Sequence, residues 1–170
     1  MEVFDAIKLR RSIRKYKPSA IPDEHLKKIL EAARLAPSAG NRQPWRFIIV
    51  RSSEGKKLLA EAARNQMFLE DAGVIIVALA DTKTSPRWCK QDTMIAVENM
   101  VLASTSLGYG TCWIGAFEEE RIKRLLGIPE KMVVVALLPI GVPDENPQPR
   151  PRKDFNEIFF EEKYGKHLTF

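Results

Sequence analysis

The sequence predicts one globular domain that contains both helices and strands. Its 170 residues are enough for one sizeable core and too few for two full-sized domains. Hydrophobic residues make up 45% and charged residues 29% of the chain, which is the balance of a folded protein rather than a disordered one. Apolar residues at helical spacing alternate along the chain with short continuous apolar runs, and these two patterns predict helices and buried strands.

A basic cluster follows the first predicted helix. Val3, Phe4 and Ile7 recur at helical spacing, so a short amphipathic helix covers about the first eight or nine residues. Residues 10–14 then place three arginines and a serine together. Guanidinium groups offer forked donors that match phosphate oxygens, and the serine hydroxyl adds a short donor. The cluster indicates an anion site with phosphate as its natural ligand, and a solvated basic turn or a weak nucleic-acid patch is the alternative.

A second helix and a stiff polar loop come next. Pro22 and the acids after it suit the start of a helix, which ends before Pro37 because residues that precede proline avoid helical backbone angles. The buried stripe of this helix consists of Leu26, Ile29, Leu30 and Ala33. Residues 37–45 form a loop in which Asn41 and Gln43 suit the edge of a heterocycle. The alternative is a turn whose polar side chains satisfy its own backbone.

Two strands flank the third helix. Residues 47–50 form a short strand, and Ser52 or Ser53 caps the helix whose apolar residues are Leu58, Leu59, Ala62 and Ala63. Residues 74–80 are apolar on both faces, which is typical of a central strand covered on each side. Residues 81–91 form a loop with Arg87 and Trp88 as candidate lid residues.

The next helix, residues 92–107, is apolar almost all round. A small domain offers few partners for such a helix, so we expect a second subunit to cover part of it. Residues 110–117 form a short strand followed by a glycine turn that lets a ligand approach the backbone. Within this segment, Cys112 is expected to be a small buried hydrophobe and Trp113 a core residue.

The last third of the chain ends in an extended tail. Residues 118–126 form a short acid-led helix ended by Gly127, and residues 133–138 form another buried strand. From Pro143 the tail is proline-rich, then basic at residues 150–153, and then apolar at Phe155, Ile158, Phe159, Phe160 and Tyr164. This apolar surface must dock, and the partner subunit is the candidate.

Several classes of protein are not indicated. A net charge of +5 is modest for this length and does not demand nucleic acid. No stretch approaches the roughly twenty apolar residues of a membrane span, and the first residues lack the pattern of a signal peptide, so we expect a cytoplasmic protein without a membrane partner. Cys89 and Cys112 form no metal-binding motif, and His25 and His167 stand alone, so neither disulfides nor a metal site are predicted.

Four motifs in this order, spread over nearly the whole chain, resemble the FMN-dependent nitroreductase family. They are Arg-Arg-Ser-Ile-Arg at 10–14, Ala-Pro-Ser-Ala-Gly-Asn-Arg-Gln-Pro-Trp at 36–45, the long apolar helix that runs into 108–115, and Pro-Arg-Pro-Arg-Lys at 149–153. The resemblance implies an α+β fold, an α-β-α sandwich with a mostly antiparallel central sheet. Residues 1–170 would form a single FMN-binding domain in an intertwined homodimer. Residues from about 143 to 170 would be a C-terminal arm that docks on the partner subunit.

The resemblance also assigns residues to the cofactor. The FMN phosphate and ribityl chain would be held by Arg10, Arg11, Ser12 and Arg14. The same phosphate would also be contacted by Arg150, Arg152 and Lys153. The flavin would be contacted from the other subunit by Pro37, Ser38, Ala39 and Asn41, at its pyrimidine edge by Asn65 or the neighbouring Gln66, and near its nitrogen N5 by Ile114 and Gly115. No catalytic side chain and no metal are implied, since the flavin carries the chemistry.

The activity implied by the resemblance is that of an FMN-dependent oxidoreductase. Hydride would pass from NADH or NADPH through flavin N5 to a small-molecule acceptor such as a nitroaromatic or a quinone, by a ping-pong mechanism. One alternative is a flavin enzyme of the same fold with other chemistry, such as dehydrogenation or dehalogenation. Another is a non-enzymatic dimer that binds a polyanion through residues 10–17 and 150–153, although no aromatic-rich basic motif accompanies these charges.

Overall fold

A computed structural model describes residues 1–169, and five strands within them form one sheet. The helices are α1 (Val3–Leu9), α2 (Asp23–Arg34), α3 (Ser53–Ala62), α4 (Cys89–Ser106), α5 (Glu119–Leu126) and α6 (Phe155–Ile158). The strands are β1 (Tyr16–Lys17), β2 (Trp45–Val50), β3 (Val74–Asp81), β4 (Gly110–Thr111) and β5 (Met132–Pro143). Phe170, the last residue of the predicted arm, lies outside the described residues.

The strands pair antiparallel in the order β1-β5-β3-β2, and β4 also pairs with β5. β3 is buried along its whole length and is hydrogen bonded on both sides. Ile75, for example, lies opposite Val50 of β2 and Pro139 of β5. These pairings confirm the predicted central strand at residues 74–80 and the mostly antiparallel sheet.

Alternate residues of β3 pack into two hydrophobic cores, one on each face of the sheet. The first core, under α3 and α5, includes Leu59, Ile75, Val77, Ile122 and Leu137. The second core, under α2 and α4, includes Ile29, Val74, Ile76, Met100 and Leu138. Each fully buried aliphatic side chain contributes about 1.5–3 kcal/mol relative to an exposed one. Two helical layers therefore enclose the sheet, which is the α-β-α sandwich predicted.

Local signals placed several helix ends correctly. The Oγ of Ser52 accepts a hydrogen bond from the Gly55 amide at 3.2 Å, so it caps α3 as one of the two predicted serines. Gly127 follows α5 with a φ of 64°, a left-handed conformation that glycine adopts without steric cost. The first three helices lie where the apolar periodicity predicts them, within one or two residues at their ends.

The predicted end of the last strand is wrong. β5 does not stop near residue 138 but continues through Pro139 to Pro143. Proline lacks an amide donor but accepts extended backbone angles, so Pro139 lies opposite Ile75 within the ladder and Ile140 follows opposite Val74. The second half of β5 also pairs with β4 and with β1, and β1, which is two residues long, was not predicted from the sequence.

Other boundaries also differ from the expectation. The loop expected at 81–91 is shorter, because β3 includes Asp81 and α4 begins at Cys89. The segment 110–117, expected to be a short strand followed by a glycine turn, forms the two-residue strand β4 and one bridge between Ile114 and Leu137. Trp113, expected in the core, is 38% exposed. Of the helices within residues 1–169, none is both long and apolar enough to cross a membrane.

Candidate functional site

The basic segment 10–14, here called the clasp, is fixed against the edge of the sheet. The Ile13 amide donates to the Thr111 carbonyl at 2.8 Å, and Ser12 forms a bridge with the same residue. The Ile13 side chain is buried beside Tyr16, whose hydroxyl donates to the Ile13 carbonyl at 2.8 Å. Because side chains alternate along extended backbone, burial of Ile13 leaves Ser12 and Arg14 on the exposed side.

Two acids at the end of β5 hold the following segment beside the clasp. The Asp144 amide donates to the Lys15 carbonyl at 2.9 Å, and the Lys15 Nζ lies 3.1 Å from the Asp144 carboxylate. The Glu145 carboxylate accepts a hydrogen bond from the Arg14 amide. Both acids are exposed, so the ion pair of Asp144 adds little stability, but together these contacts fix where the chain runs on toward its C-terminal basic cluster, residues 150–153.

The clasp and the C-terminal basic cluster line one cavity of about 390 Å³. Its lining includes the predicted residues Arg10, Arg11, Ser12, Arg14, Arg150 and Arg152. The structure thus brings together six of the seven residues that the family resemblance assigned to a phosphate. Lys153, the seventh, is exposed and does not line this cavity.

The arginines around this cavity differ in how much of their hydrogen-bonding capacity is already used. Arg11 Nη1 donates to the carbonyls of Lys8 and Arg10 at 2.7 and 2.8 Å, which satisfies the C-terminal end of α1. Within residues 1–169, no hydrogen bond or ion pair engages the guanidinium groups of Arg10, Arg14 and Arg150. These three groups are therefore available to an anion.

Ile114 and Gly115, which were predicted to lie near flavin N5, follow β4 a few residues along the chain. The Ile114 amide donates to the Leu137 carbonyl at 3.0 Å, so it is committed to the sheet. The Gly115 amide has no hydrogen-bond partner within residues 1–169, and beyond the two neighbouring residues no heavy atom there lies within 4 Å of the position that a Cβ would occupy. Of the two predicted backbone donors, Gly115 is therefore the one left available.

The end of α3 lies beside Gly115. Gln66 Nε2 donates to the Ala63 carbonyl at 2.9 Å and to the Ala116 carbonyl at 3.3 Å. Asn65 is exposed and has a φ of 57°. Four residues of extended chain span up to about 13 Å, so the segment from Thr111 to Gly115 connects the clasp with these residues.

The predicted loop residues 37–41 lie outside the cavity and are hydrogen bonded among themselves. The backbone amide of Gln43 donates to Ser38 Oγ at 2.9 Å, and the side-chain Nε2 of Gln43 donates to Asn41 Oδ1 at 3.1 Å. In the single chain these side chains therefore satisfy their own turn, which was the alternative interpretation of the sequence. The loop is joined to the body of the protein through the Ala39 amide, which donates to Asp92 Oδ1 at 3.1 Å.

Sequence reasoning missed Glu145 and Asp92 as residues that support the site. Nothing near Glu145 in the sequence indicates a partner far away in the clasp. Asp92 did carry a signal, because it is a carboxylate within a helix that is otherwise apolar, but an acid in a first turn is also a common helix start. Cys112 behaves as expected, since burial raises the pKa of its thiol and keeps it protonated.

Comparison with known proteins extends these observations. The sequence model of the nitroreductase family matches residues 7–72 and 63–142. A protein of Methanothermobacter thermautotrophicus, provisionally named NADH dehydrogenase/NAD(P)H nitroreductase, is 40% identical over 167 residues, which cover 95% of this chain and 87% of that protein.

Two solved structures share the fold over most of its length. The structure of an FMN-dependent nitroreductase from Clostridium difficile R20291 aligns with a TM-score of 0.85 and 31% identity, over 95% of this chain and 99% of that one. The NADPH:FMN oxidoreductase of Vibrio harveyi, solved in complex with NAD+, aligns with a TM-score of 0.89 and 29% identity, over 98% of this chain and 79% of that one.

Proposed function

Because the chain belongs to the nitroreductase family, we propose that it is an FMN-dependent oxidoreductase that takes electrons from NADH or NADPH. When bound, FMN supplies the redox chemistry by accepting a hydride and passing it to a small oxidised acceptor. The observation that carries the proposal is the cavity where the clasp and the C-terminal basic cluster meet. Its uncommitted guanidinium groups form a concave site of one charge sign, which suits a phosphate.

The residues present fit both ends of FMN. A phosphate monoester carries a charge of about −1.5 to −2 at neutral pH, and Arg10, Arg14 and Arg150 can donate to it without giving up a hydrogen bond described above. Ser12 adds a hydroxyl donor at the same cavity. At the far end of the segment from β4, the Gly115 amide can donate to flavin N5, and Asn65 or Gln66 can serve the pyrimidine edge.

We propose a homodimer as the working unit, in which the loop 37–41 of one subunit reaches the flavin of the other. Large apolar side chains that single chains normally bury are exposed here, namely Val3, Phe4 and Ile7 on α1, Met94 and Ile95 on α4, and Tyr164, which is 95% exposed, in the tail. The C-terminal arm and the exposed face of α4 would pack on the partner subunit. Sedimentation equilibrium checks this, and a monomer at micromolar concentration would contradict it.

For the acceptor, we propose a nitroaromatic or a quinone, reduced by a ping-pong mechanism. The donor and the acceptor would use the same exposed side of the flavin beside Gly115, so the oxidised nicotinamide must leave before the acceptor binds. Arg87 and Trp88, whose guanidinium and ring lie 4.9 Å apart on the turn before α4, are candidates for a partial lid.

Visible spectra and stopped-flow kinetics test the proposal. The purified protein, after addition of FMN, should retain flavin absorbance through gel filtration, and anaerobic NADH or NADPH should bleach it. A quinone or a nitroaromatic should then restore the absorbance in a second, separate step. Protein that passes through the column without flavin would contradict the proposal. An oligonucleotide should not displace bound FMN, and displacement would favour a polyanion-binding role instead.

A further inference from the structure

Asp92 is a buried acid that connects the long helix to the loop 37–41. It lies in the first turn of α4 and is 4% exposed. Its Oδ1 accepts the hydrogen bond from the Ala39 amide at 3.1 Å. This contact joins residues 53 positions apart, so it ties the loop to the long helix α4.

The loop has a backbone shape that needs support from outside. Gly40, Asn41 and Gln43 have φ values of 57°, 54° and 49°, all in the left-handed region. Such values cost non-glycine residues roughly 1 kcal/mol or more each. The hydrogen bond from Gln43 to Ser38 closes the loop on itself and does not fix it relative to α4. Asp92 supplies that restraint.

The second oxygen of Asp92 is not explained by the stability of one chain. Its Oδ2 is buried and has no hydrogen-bond partner within residues 1–169. Buried polar atoms are normally paired, because removal from water without a partner costs stability. A core residue kept at such a cost points to a role other than packing.

We propose that Asp92 is a positioning residue for flavin binding. By holding the Ala39 amide, its carboxylate sets the orientation of the peptide groups at residues 38–41. The inference rests on the proposed function, because it takes this loop as a flavin contact. Asp92 therefore acts through the loop and without touching the cofactor, and in the proposed dimer it acts on the flavin site that the partner subunit's clasp completes.

Variants on both sides of the hydrogen bond test this role. Asp92→Ala removes the acceptor, whereas Asp92→Asn keeps a carbonyl acceptor of the same shape. Ala39→Pro removes the donor at the first residue of a short helical turn, where proline is tolerated, after a residue with extended backbone angles. The exposed Asp71→Ala is the matched control. Measurements are FMN affinity by fluorescence quenching, the visible band of the bound flavin, and hydrogen exchange of the Ala39 amide without FMN.

The expected pattern separates positioning from general destabilisation. Asp92→Ala and Ala39→Pro should each weaken FMN binding about tenfold and shift the flavin band, and the double variant should be no weaker than either single one. Asp92→Asn should restore affinity to within about twofold. Wild-type affinity and spectrum in both Asp92→Ala and Ala39→Pro would overturn the inference, as would an additive double variant.

The proposed function and this inference fail in distinguishable ways. If the wild-type protein binds no FMN, the proposed function fails. Unchanged hydrogen exchange of the Ala39 amide in Asp92→Ala would separately refute the role of Asp92 in holding the loop. If Asp92→Ala does not fold, Ala39→Pro together with Asp92→Asn decides the matter through the same FMN titration.

Discussion

Replacing Arg10 with alanine tests whether the clasp holds the FMN phosphate. The Arg10 guanidinium lines the cavity, and no hydrogen bond or ion pair within residues 1–169 engages it, so its removal should cost the apoprotein little. A bound phosphate would lose a charge-assisted partner worth about 1.5–3 kcal/mol. At 1.4 kcal/mol per tenfold change, the Kd for FMN should rise by about 10- to 150-fold.

The neighbouring Arg11 provides a matched control for this substitution. It lines the same cavity, but its Nη1 is committed to two carbonyls at the end of α1. Arg11→Ala should therefore lower the Tm of the apoprotein and weaken FMN binding less than Arg10→Ala does. Quenching of FMN fluorescence gives both Kd values, and the measurement at two ionic strengths should show the Arg10 effect shrinking at high salt.

Two results would refute the phosphate assignment. One is an Arg10→Ala protein that binds FMN as tightly as the wild type. The other is an Arg11→Ala protein that loses more FMN affinity than Arg10→Ala while its Tm is unchanged, because the committed guanidinium would then be the phosphate ligand.

Three further substitutions test the surroundings of the site. Glu145→Gln keeps an acceptor for the Arg14 amide but removes a negative charge beside the clasp, so FMN should bind about two- to fivefold tighter, and weaker binding would contradict this. In Gly110→Ala the new Cβ would lie 2.6 Å from the Cγ1 of Ile13, so both the Tm and FMN affinity should fall; wild-type values for both would rule out the contact. For Asp81, burial alone would raise the pKa, but hydrogen bonds from the following turn outweigh it and lower the pKa below its ordinary value of about 3.9. The resulting stability is present above that value and is lost as the pH falls through the lower folded-state pKa. The free energy of unfolding, measured by urea titration at several pH values, should therefore fall less steeply toward acid pH in Asp81→Asn than in the wild type. The same pH dependence in both proteins would count against this.

The chemistry of the clasp is visible in the sequence, but its assembly is not. Three arginines and a serine within residues 10–14 indicate an anion site by their side chains alone. Residues 150–152 meet this cluster because the chain that leaves β5 runs past Lys15 and Arg14. No local sequence pattern predicts contacts between residues so far apart in the chain. The family resemblance supplied that connection, and the shared cavity agrees with it.

Periodicity predicted the layers of the fold and failed where context overrides local preference. Runs such as residues 74–80 are long enough to specify a buried strand by themselves. The strand predicted over residues 133–138 was too short, because pairing continues through Pro139 and carries β5 onward. Trp113 was expected in the core, but the chain leaves the sheet after Thr111 and rejoins it at Ile114, and Trp113 between them is exposed. An apolar residue alone does not show which surface will cover it.

The hydrogen bond between Arg14 and Glu145 has a consequence for the order of folding. It closes a loop of 131 residues, and contacts of such long range form late because the entropy of loop closure must be overcome first. During synthesis the clasp emerges early, but it has no counterpart until β5 has paired with β4 and β1. At the proposed phosphate site, FMN would therefore not nucleate folding. It would bind the paired sheet and stabilise it by mass action, in proportion to the logarithm of the FMN concentration once the site is saturated.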